Sequence, residues 1–495
     1  MICKPDLRAG VLACALVLAG CSGSGAGSVG SGAGVSASPE AARLIGEADA
    51  ALAAGALADA GRLLDEARAL APDSPDLWVA IARLRFRGGE HLTALEAADK
   101  ALALGPDHAP ALLMRALLVR DAHGFAAALP WFEAALAADE SNADAWAEYA
   151  ATLGDFGQHG EMLAAVRELA EIAPDDPRVF YLQAVLAQRG GKPVLARSLL
   201  ERSNMAGRGV PAALLLDALI SLEQGNHASA AEQLDRLAER QPANRPVRAL
   251  LARALLLDGR EAEVIARFAA EVAEPEASPY LVMLVARAYE RTGDRASAAP
   301  LLARAYAAPQ SLPVVLTERA GLPQPTADLR RNARAGNAAQ ARSTAQGLRA
   351  RFPASADIAR LAGDTALANG DARGALESYA EAARVRRPWS LTRQAVFAYR
   401  RTGDDLAADT LLARHVAGEP ENPAALTMLA QRLGERGEWE RAGLLADHAI
   451  TIGAGHDPAV LALRAQAARE LGETDAAARY AALLAELRPA ALTAR

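Results

Sequence analysis

The chain is poor in the residue types that most chemistry needs. Its three cysteines, Cys3, Cys14 and Cys21, all lie at the extreme N-terminus. The body therefore holds no disulfide, no thiolate nucleophile and no thiolate metal site; since an extracytoplasmic protein needs no disulfides, this does not imply the cytoplasm. Lysine occurs only at Lys4, Lys100 and Lys192, so almost all positive charge is arginine. Aromatic residues make up 4% of the 495 residues, which suits closely packed helices with few large wedges. The eight histidines, at 91, 108, 123, 159, 227, 415, 448 and 456, form no H-E-x-x-H, and the close pair His448 and His456 straddles a turn. No Walker loop or G-x-S-x-G elbow is present, and the carboxylates are too scattered to single out an acid–base pair. No catalytic residue, metal or cofactor is expected, and the chain reads as a non-enzyme.

At the N-terminus, Lys4 and Arg8 precede an apolar run over residues 9–19. This run is too short for a comfortable membrane span and has the form of a secretory signal. It ends in Leu18-Ala19-Gly20-Cys21, which resembles the lipobox of bacterial lipoproteins. That resemblance implies a signal peptide over 1–20, lipidation of Cys21, and membrane anchoring by several acyl chains, since one chain holds only marginally. Ser22, rather than aspartate, follows the cysteine; in the enterobacterial sorting pattern this implies outer-membrane delivery, with the body facing the periplasm. Residues 21–40 are read as the lipidated cysteine and a Gly/Ser-rich tether, of which the Gly/Ser/Ala stretch 22–38 has a reach of about 20–25 Å. Gly25, Gly27 and Gly30 have no preceding strand and no acidic ribose partner, so they are not a nucleotide loop. Removal of the first twenty residues leaves 51 basic against 59 acidic residues, a net charge of -8 where the whole chain has -7. That sign and the export signal disfavour nucleic acid as a partner.

From residue 41 onward the chain is periodic. Gly55, Gly89, Gly157, Gly191, Gly225, Gly259 and Gly293 fall on a 34-residue grid, with one slot missed where His123 stands and Gly124 follows. After a gap of 43 residues come Gly336, Gly370, Gly403, Gly437 and Gly472, at intervals of 34, 33, 34 and 35. Breakers 17 residues after the glycines, among them Pro72, Pro106, Pro174, Pro242, Pro353, Pro420 and Pro489, repeat the same beat. A period in this range is the mark of stacked supersecondary units. Thirteen units result, starting at 41, 75, 109, 143, 177, 211, 245, 279, 322, 356, 389, 423 and 458. The spacing predicts an all-α solenoid of helical hairpins, with the first eight over 41–312, an insertion at 313–321, and the last five over 322–495. Pro323 and Pro325 fall in the first helix of unit nine, so that helix should start late.

Small residues keep the frame: Ala48, Ala82, Ala116, Ala150, Ala184, Ala218, Ala252 and Ala286 stand at the eighth position, and Ala60, Ala94, Ala128, Ala196 and Ala230 at the twentieth. Large residues such as Leu64, Phe132, Phe268 and Tyr379 occupy the twenty-fourth, and Trp78 and Trp146 the fourth. This pattern resembles the tetratricopeptide repeat (TPR) family over residues 41 to about 489. The resemblance implies that first helices line a concave face through positions 2, 5, 9 and 12. Carried over, these positions give an apolar stripe of Tyr181, Val185, Leu215, Leu219, Leu222 and Leu256, a candidate seat for a protein or peptide if exposed. They also give a basic lining with Arg253, Arg287, Arg330, Arg360 and Arg400, reinforced by Arg384, Arg386 and Arg387, suited to an anionic partner such as a polysaccharide. The expected function is that of a lipid-anchored scaffold binding an envelope protein in an assembly, secretion or polysaccharide-export system, with a leaning to exopolysaccharide or exosortase-linked TPR lipoproteins. Direct binding of an anionic glycan, or a role in pilus or outer-membrane protein assembly, are the alternatives.

Overall fold

In a computed structural model of the chain, the described residues are 38–242, 244–274, 277–306 and 325–487. The signal segment, Cys21, the tether up to residue 37 and the insertion at 313–321 lie outside them. The fold is an all-α array of paired helices of the TPR type, with no strand among the described residues.

By compactness the described residues fall into two units. One takes its residues from Ala15–Ala173 and Pro323–Ala408, the other from Pro174–Leu322 and Asp409–Arg495. The first contains α1 (Pro39–Ala53), α2 (Leu57–Leu70), α3 (Pro75–Arg87), α4 (His91–Leu104), α5 (Ala109–His123), α6 (Phe125–Ala138), α7 (Ala143–Asp155) and α8 (His159–Ile172). The second begins with α9 (Pro177–Arg189), α10 (Pro193–Ser203), α11 (Pro211–Glu223), α12 (His227–Arg240), α13 (Arg245–Leu257), α14 (Glu261–Ala273), α15 (Pro279–Arg291) and α16 (Arg295–Ala305). Returning to the first unit, the chain forms α17 (Pro325–Arg334), α18 (Ala338–Arg351), α19 (Ala356–Ala368), α20 (Ala372–Ala383) and α21 (Trp389–Arg401). Helix α22 (Asp405–Gly418) crosses the boundary, and α23 (Pro423–Glu435), α24 (Trp439–Ala449), α25 (Pro458–Glu470) and α26 (Thr474–Leu487) complete the second. Neither unit coincides with the eight-hairpin or the five-hairpin stretch, because each recruits hairpins from both sides of residue 322. Below they are called the α1 unit and the α9 unit.

The helix boundaries follow from local chemistry. First helices open with a polar cap and often a proline: Ser74 accepts a hydrogen bond from the Leu77 amide before Pro75, Ser278 from Leu281 before Pro279, and Asn422 from Ala425 before Pro423. Each hairpin on the grid turns at its glycine, with φ between +68° (Gly191) and +89° (Gly157), where a side chain would be strained. Unit three, which lacks the grid glycine, lets α5 run on to His123 and turns on Gly124, at φ 94°, straight into α6. Helix α17 is described from Pro325 to Arg334, and the late start expected from Pro323 and Pro325 falls where the preceding residues lie outside the described ones; the buried Leu329 takes the small-residue position.

Packing follows the alanine frame. All the eighth- and twentieth-position alanines named above are fully buried, with Phe132, Phe268 and Tyr379 closing the same crossings. Small contact residues bring the two helices close, and the large ones fill the volume beside them. Polar groups tie one hairpin to the next in register. The Trp78 indole donates to the Pro72 carbonyl (2.7 Å) and Trp146 repeats the bond with Glu140 (2.9 Å), each reaching back to the junction before its own helix. Arg87 donates to the Leu52 carbonyl, and Arg291 likewise to the Leu256 carbonyl at 2.7 Å. Each adds a second bond to a carbonyl at the end of the preceding first helix that also accepts from the turn glycine's amide.

Candidate interaction surface

First helices present their inward positions to neighbouring hairpins more completely than the TPR frame implies. In the α9 unit, Tyr181, Val185, Leu215, Leu222 and Leu256 are all buried, at 6% exposure or less. Only Leu219 keeps part of its surface, and it packs against the same core. The expected apolar stripe is thus not an open groove. Leu215, Leu222 and Leu256 join one core with Leu251, Leu255, Leu281 and Leu284, because α11, α13 and α15 close on each other around small alanine contacts. Apart from Leu257 (43%) at the end of α13 and Leu471 in a turn, the large exposed apolar side chains of this unit stand on second helices, chief among them Val194 (77%) and Leu195 (48%) on α10 and Leu444 (66%) on α24.

The expected basic lining is likewise divided and largely engaged. Arg253 and Arg287 belong to the α9 unit, the other six to the α1 unit. Arg360 is buried, and donates to the Gln394 side chain at 2.8 Å, so it lines nothing. Arg287 pairs with Glu290 (3.0 Å) and Arg400 with Asp405 (3.6 Å). Arg253 is hydrogen-bonded to Tyr280. Arg386 lies between Asp121 (3.6 Å) and Asp357 (3.9 Å), and the Arg387 amide donates to the Asp121 carbonyl (2.8 Å). Arg384 is exposed; Arg330 lies on α17 with its side chain outside the described residues.

What brings Arg386 and Arg387 to Asp121 is a contact that no local reading finds. In the α1 unit, the turns on either side of the α19–α20 hairpin dock on hairpins two and three. The Leu92 amide donates to the Ala354 carbonyl (3.1 Å), and the Ala356 amide donates to Nδ1 of His91 (3.2 Å). His91 is buried, edge-on to Phe86 at 5.3 Å. Val385, from the second turn, is buried in a core with Val79, Ala82, Met114 and Leu118. Burial pushes the His91 imidazole below its ordinary value; the Arg386 charge adds to this and Asp357 opposes it.

A comparable contact closes the α9 unit. Arg189, at the end of α9, pairs with Glu421 before α23 at 2.6 Å. The turn before α25 lays His456 against the Tyr280 ring of α15, with centroids 4.4 Å apart. Burial, and then the Arg253 charge, push His456 down to about 4, against a hydrogen bond with the Gly453 backbone. Burial raises the neighbouring Asp457 carboxyl, although it caps α25 by accepting from the Ala459 amide (2.9 Å).

One signal in the sequence marks both turns. The interval of 33 residues from Gly370 to Gly403 contains the turn with Arg386, and that of 35 from Gly437 to Gly472 contains the turn with His456. In the second, the extra residue is taken up by a widened helical turn at Ile450–Ala454, which contains Gly453 at φ 111°.

Among the described residues no group of histidine, cysteine and carboxylate side chains could hold a metal ion. No described helix is long and apolar enough to cross a membrane. No protein-family model matches the chain. A curated relative is the cellulose synthase operon protein C of Xanthomonas axonopodis pv. citri (strain 306), 28% identical over 279 residues. The match takes in 52% of this chain but only 18% of that protein. Similar solved structures include the PilF protein of Pseudomonas aeruginosa (19% identical, 47% of this chain and 91% of that one, TM-score 0.31). Two others are PilW, a type IV pilus biogenesis factor (20%, 44% and 100%, 0.35), and YrrB, a TPR protein with a peptide-binding site (19%, 35% and 90%, 0.26). These structural likenesses are of the repeated hairpin alone.

Proposed function

We propose that the protein is a scaffold, lipid-anchored through Cys21, that holds a protein or peptide segment of a bacterial cell-envelope assembly. The observation that supports it most is the joining of a lipobox-like Leu18-Ala19-Gly20-Cys21 and a short tether to an array made of helical hairpins. Hairpin repeats of this kind serve as scaffolds for other proteins. With the first-helix stripe closed, the partner is assigned to the outward second-helix faces, where Val194, Leu195 and Leu444 offer apolar surface to an interface. A polysaccharide-synthesis or export system is the pathway favoured by the relative in a cellulose synthase operon. A pilus or outer-membrane protein assembly factor is the second reading, an architecture shared with the pilus proteins above. Direct glycan binding is disfavoured, because most of the candidate arginines are bonded within the chain.

The test combines anchor and partner. Labelled fatty acid should enter the full-length protein and should be lost in Cys21→Ser, with the protein leaving the membrane fraction. Affinity purification of the wild type from solubilised membranes should yield a polysaccharide-synthase or export component. Recovery of pilus components instead would transfer it to the second reading. Unlabelled wild-type protein, or binding of an anionic glycan without any protein, would overturn the proposal.

A further inference from the structure

Each unit is closed by a contact between parts of the chain more than 170 residues apart, and each contact places a histidine whose surroundings disfavour its protonated form. At His91, Nδ1 accepts the Ala356 amide at 3.2 Å, which a protonated ring cannot do. At His456, the ring lies on Tyr280 with the Arg253 guanidinium bonded to the same tyrosine, so a second positive charge would meet the first. The remaining contact groups are few: two backbone hydrogen bonds, the Arg386 pairs and the single buried side chain of Val385 in one unit, the Arg189–Glu421 pair in the other. Hairpin stacking, in contrast, rests on continuous apolar cores.

We propose that these two dockings form acid-releasable clasps, in which protonation of His91 and His456 detaches the later segment of each unit while the hairpins themselves stay folded. This does not rest on the identity or the existence of a partner.

Burial sets the direction at both histidines, and the surrounding charges modify it. Around His91 stand Arg386 from the turn after α20, Asp357 from α19, Asp121 from α5 beside Arg386, and the Arg85–Glu90 pair on its own hairpin. Burial opposes protonation most, Asp357 favours it and the bonded arginine opposes it, and the net direction is downward. A histidine whose docked value is lowered contributes fully above its free value and loses that contribution as pH falls towards the docked value. For His456, lowered from 6.5 to about 4, docking weakens at most about 20-fold between pH 7 and pH 5. Asp457 works the other way: its raised docked value favours the protonated carboxyl, so acid strengthens its share. Asp457→Asn keeps the helix cap and removes that opposition.

The experiment is hydrogen exchange by mass spectrometry on the full chain at pH 7.5 and 5.0, corrected for intrinsic exchange. The amides of Leu92, Ala356 and Arg387, and the segment 453–458, should lose protection at pH 5.0 while the buried amides of α11 and α13 keep theirs. Asp457→Asn should enlarge the loss at 453–458. His91→Gln retains an acceptor that does not titrate, and should hold the α1-unit amides protected at both pH values; His456→Gln should abolish the acid-induced loss at 453–458, leaving only the opposite, acid-strengthened share of Asp457. Equal protection of the wild-type contact amides at the two pH values overturns the proposal, as does their exchange only together with the core. Should either glutamine variant fail to fold, the wild-type and Asp457→Asn comparisons still decide.

Discussion

Replacing Gly363 by alanine should destabilise the α1 unit, although the same change inside a helix ordinarily stabilises by roughly 1 kcal/mol. Gly363 holds the small-residue position of α19, and a Cβ there would fall 2.5 Å from Cε1 of Tyr379, 2.6 Å from Cδ1 and 3.1 Å from the Ala375 carbonyl oxygen. Tyr379 has little freedom to retreat. It is 2% exposed, and its hydroxyl donates to Oδ1 of the equally buried Asp364 at 2.8 Å. Overpacking of this kind costs about 1–3 kcal/mol. Displacing the ring would also weaken a buried hydrogen bond to a carboxylate, worth about 1.5–3 kcal/mol. Set against the helix gain, the net is a destabilisation of about 1.5–5 kcal/mol, the upper end holding when the hydrogen bond is lost outright. Gly347 in α18 is the internal control: it is exposed, with nothing within 4 Å of its added Cβ, and Gly347→Ala should stabilise by up to about 1 kcal/mol. Because hairpin arrays do not always unfold in one step, urea melts should be paired with hydrogen exchange over residues 356–383. A Gly363→Ala protein at least as stable as wild type, with unchanged protection there, would refute the packing argument.

Ala218→Asp places a carboxylate at a fully buried contact between helices; it should melt the neighbouring hairpins at a cost of several kcal/mol, seen as new protease cleavage in α11–α13, and retained resistance there would count against it. Arg120→Met leaves Glu148, its 2.9 Å partner with both side chains 11% exposed, without its charge, and should cost about 3–5 kcal/mol by chemical denaturation. Adding Glu148→Leu should recover most of that loss. Gly259→Ala meets no atom within 4 Å but keeps φ at +76°, so its penalty should be the conformational strain alone, about 1–2 kcal/mol in the same melts.

The hairpins were legible because two kinds of constraint repeat at one spacing. A turn at positive φ demands glycine, and a close helix crossing demands alanine, so Gly259 and Ala252 report backbone and packing without reference to any distant residue. The surface was less legible. TPR positions assigned Tyr181 and Leu215 to an open face, whereas in the α9 unit the neighbouring first helices close over them, a matter of superhelical tightness that the repeat pattern does not encode. Arg360 followed the same course: its position points inward, but Gln394 one repeat later engages it in the core. His91 was illegible for a different reason. Its partner, the Ala356 amide, is 265 residues away and is a backbone group, so no side-chain pattern marks it. Only the intervals of 33 and 35 residues hinted that the junctions carrying Arg386 and His456 differ from the rest.

Site-specific photo-crosslinking in the native envelope tests the central claim most directly, with the crosslinker placed at Val194 on the outward face of α10, at Leu444 on α24, and at Leu219 on the closed first-helix face. Adducts with one envelope protein are expected from Val194 or Leu444, lost in Cys21→Ser, and none from Leu219. Adducts from Leu219 alone, or none from any position in the anchored protein, would contradict that claim.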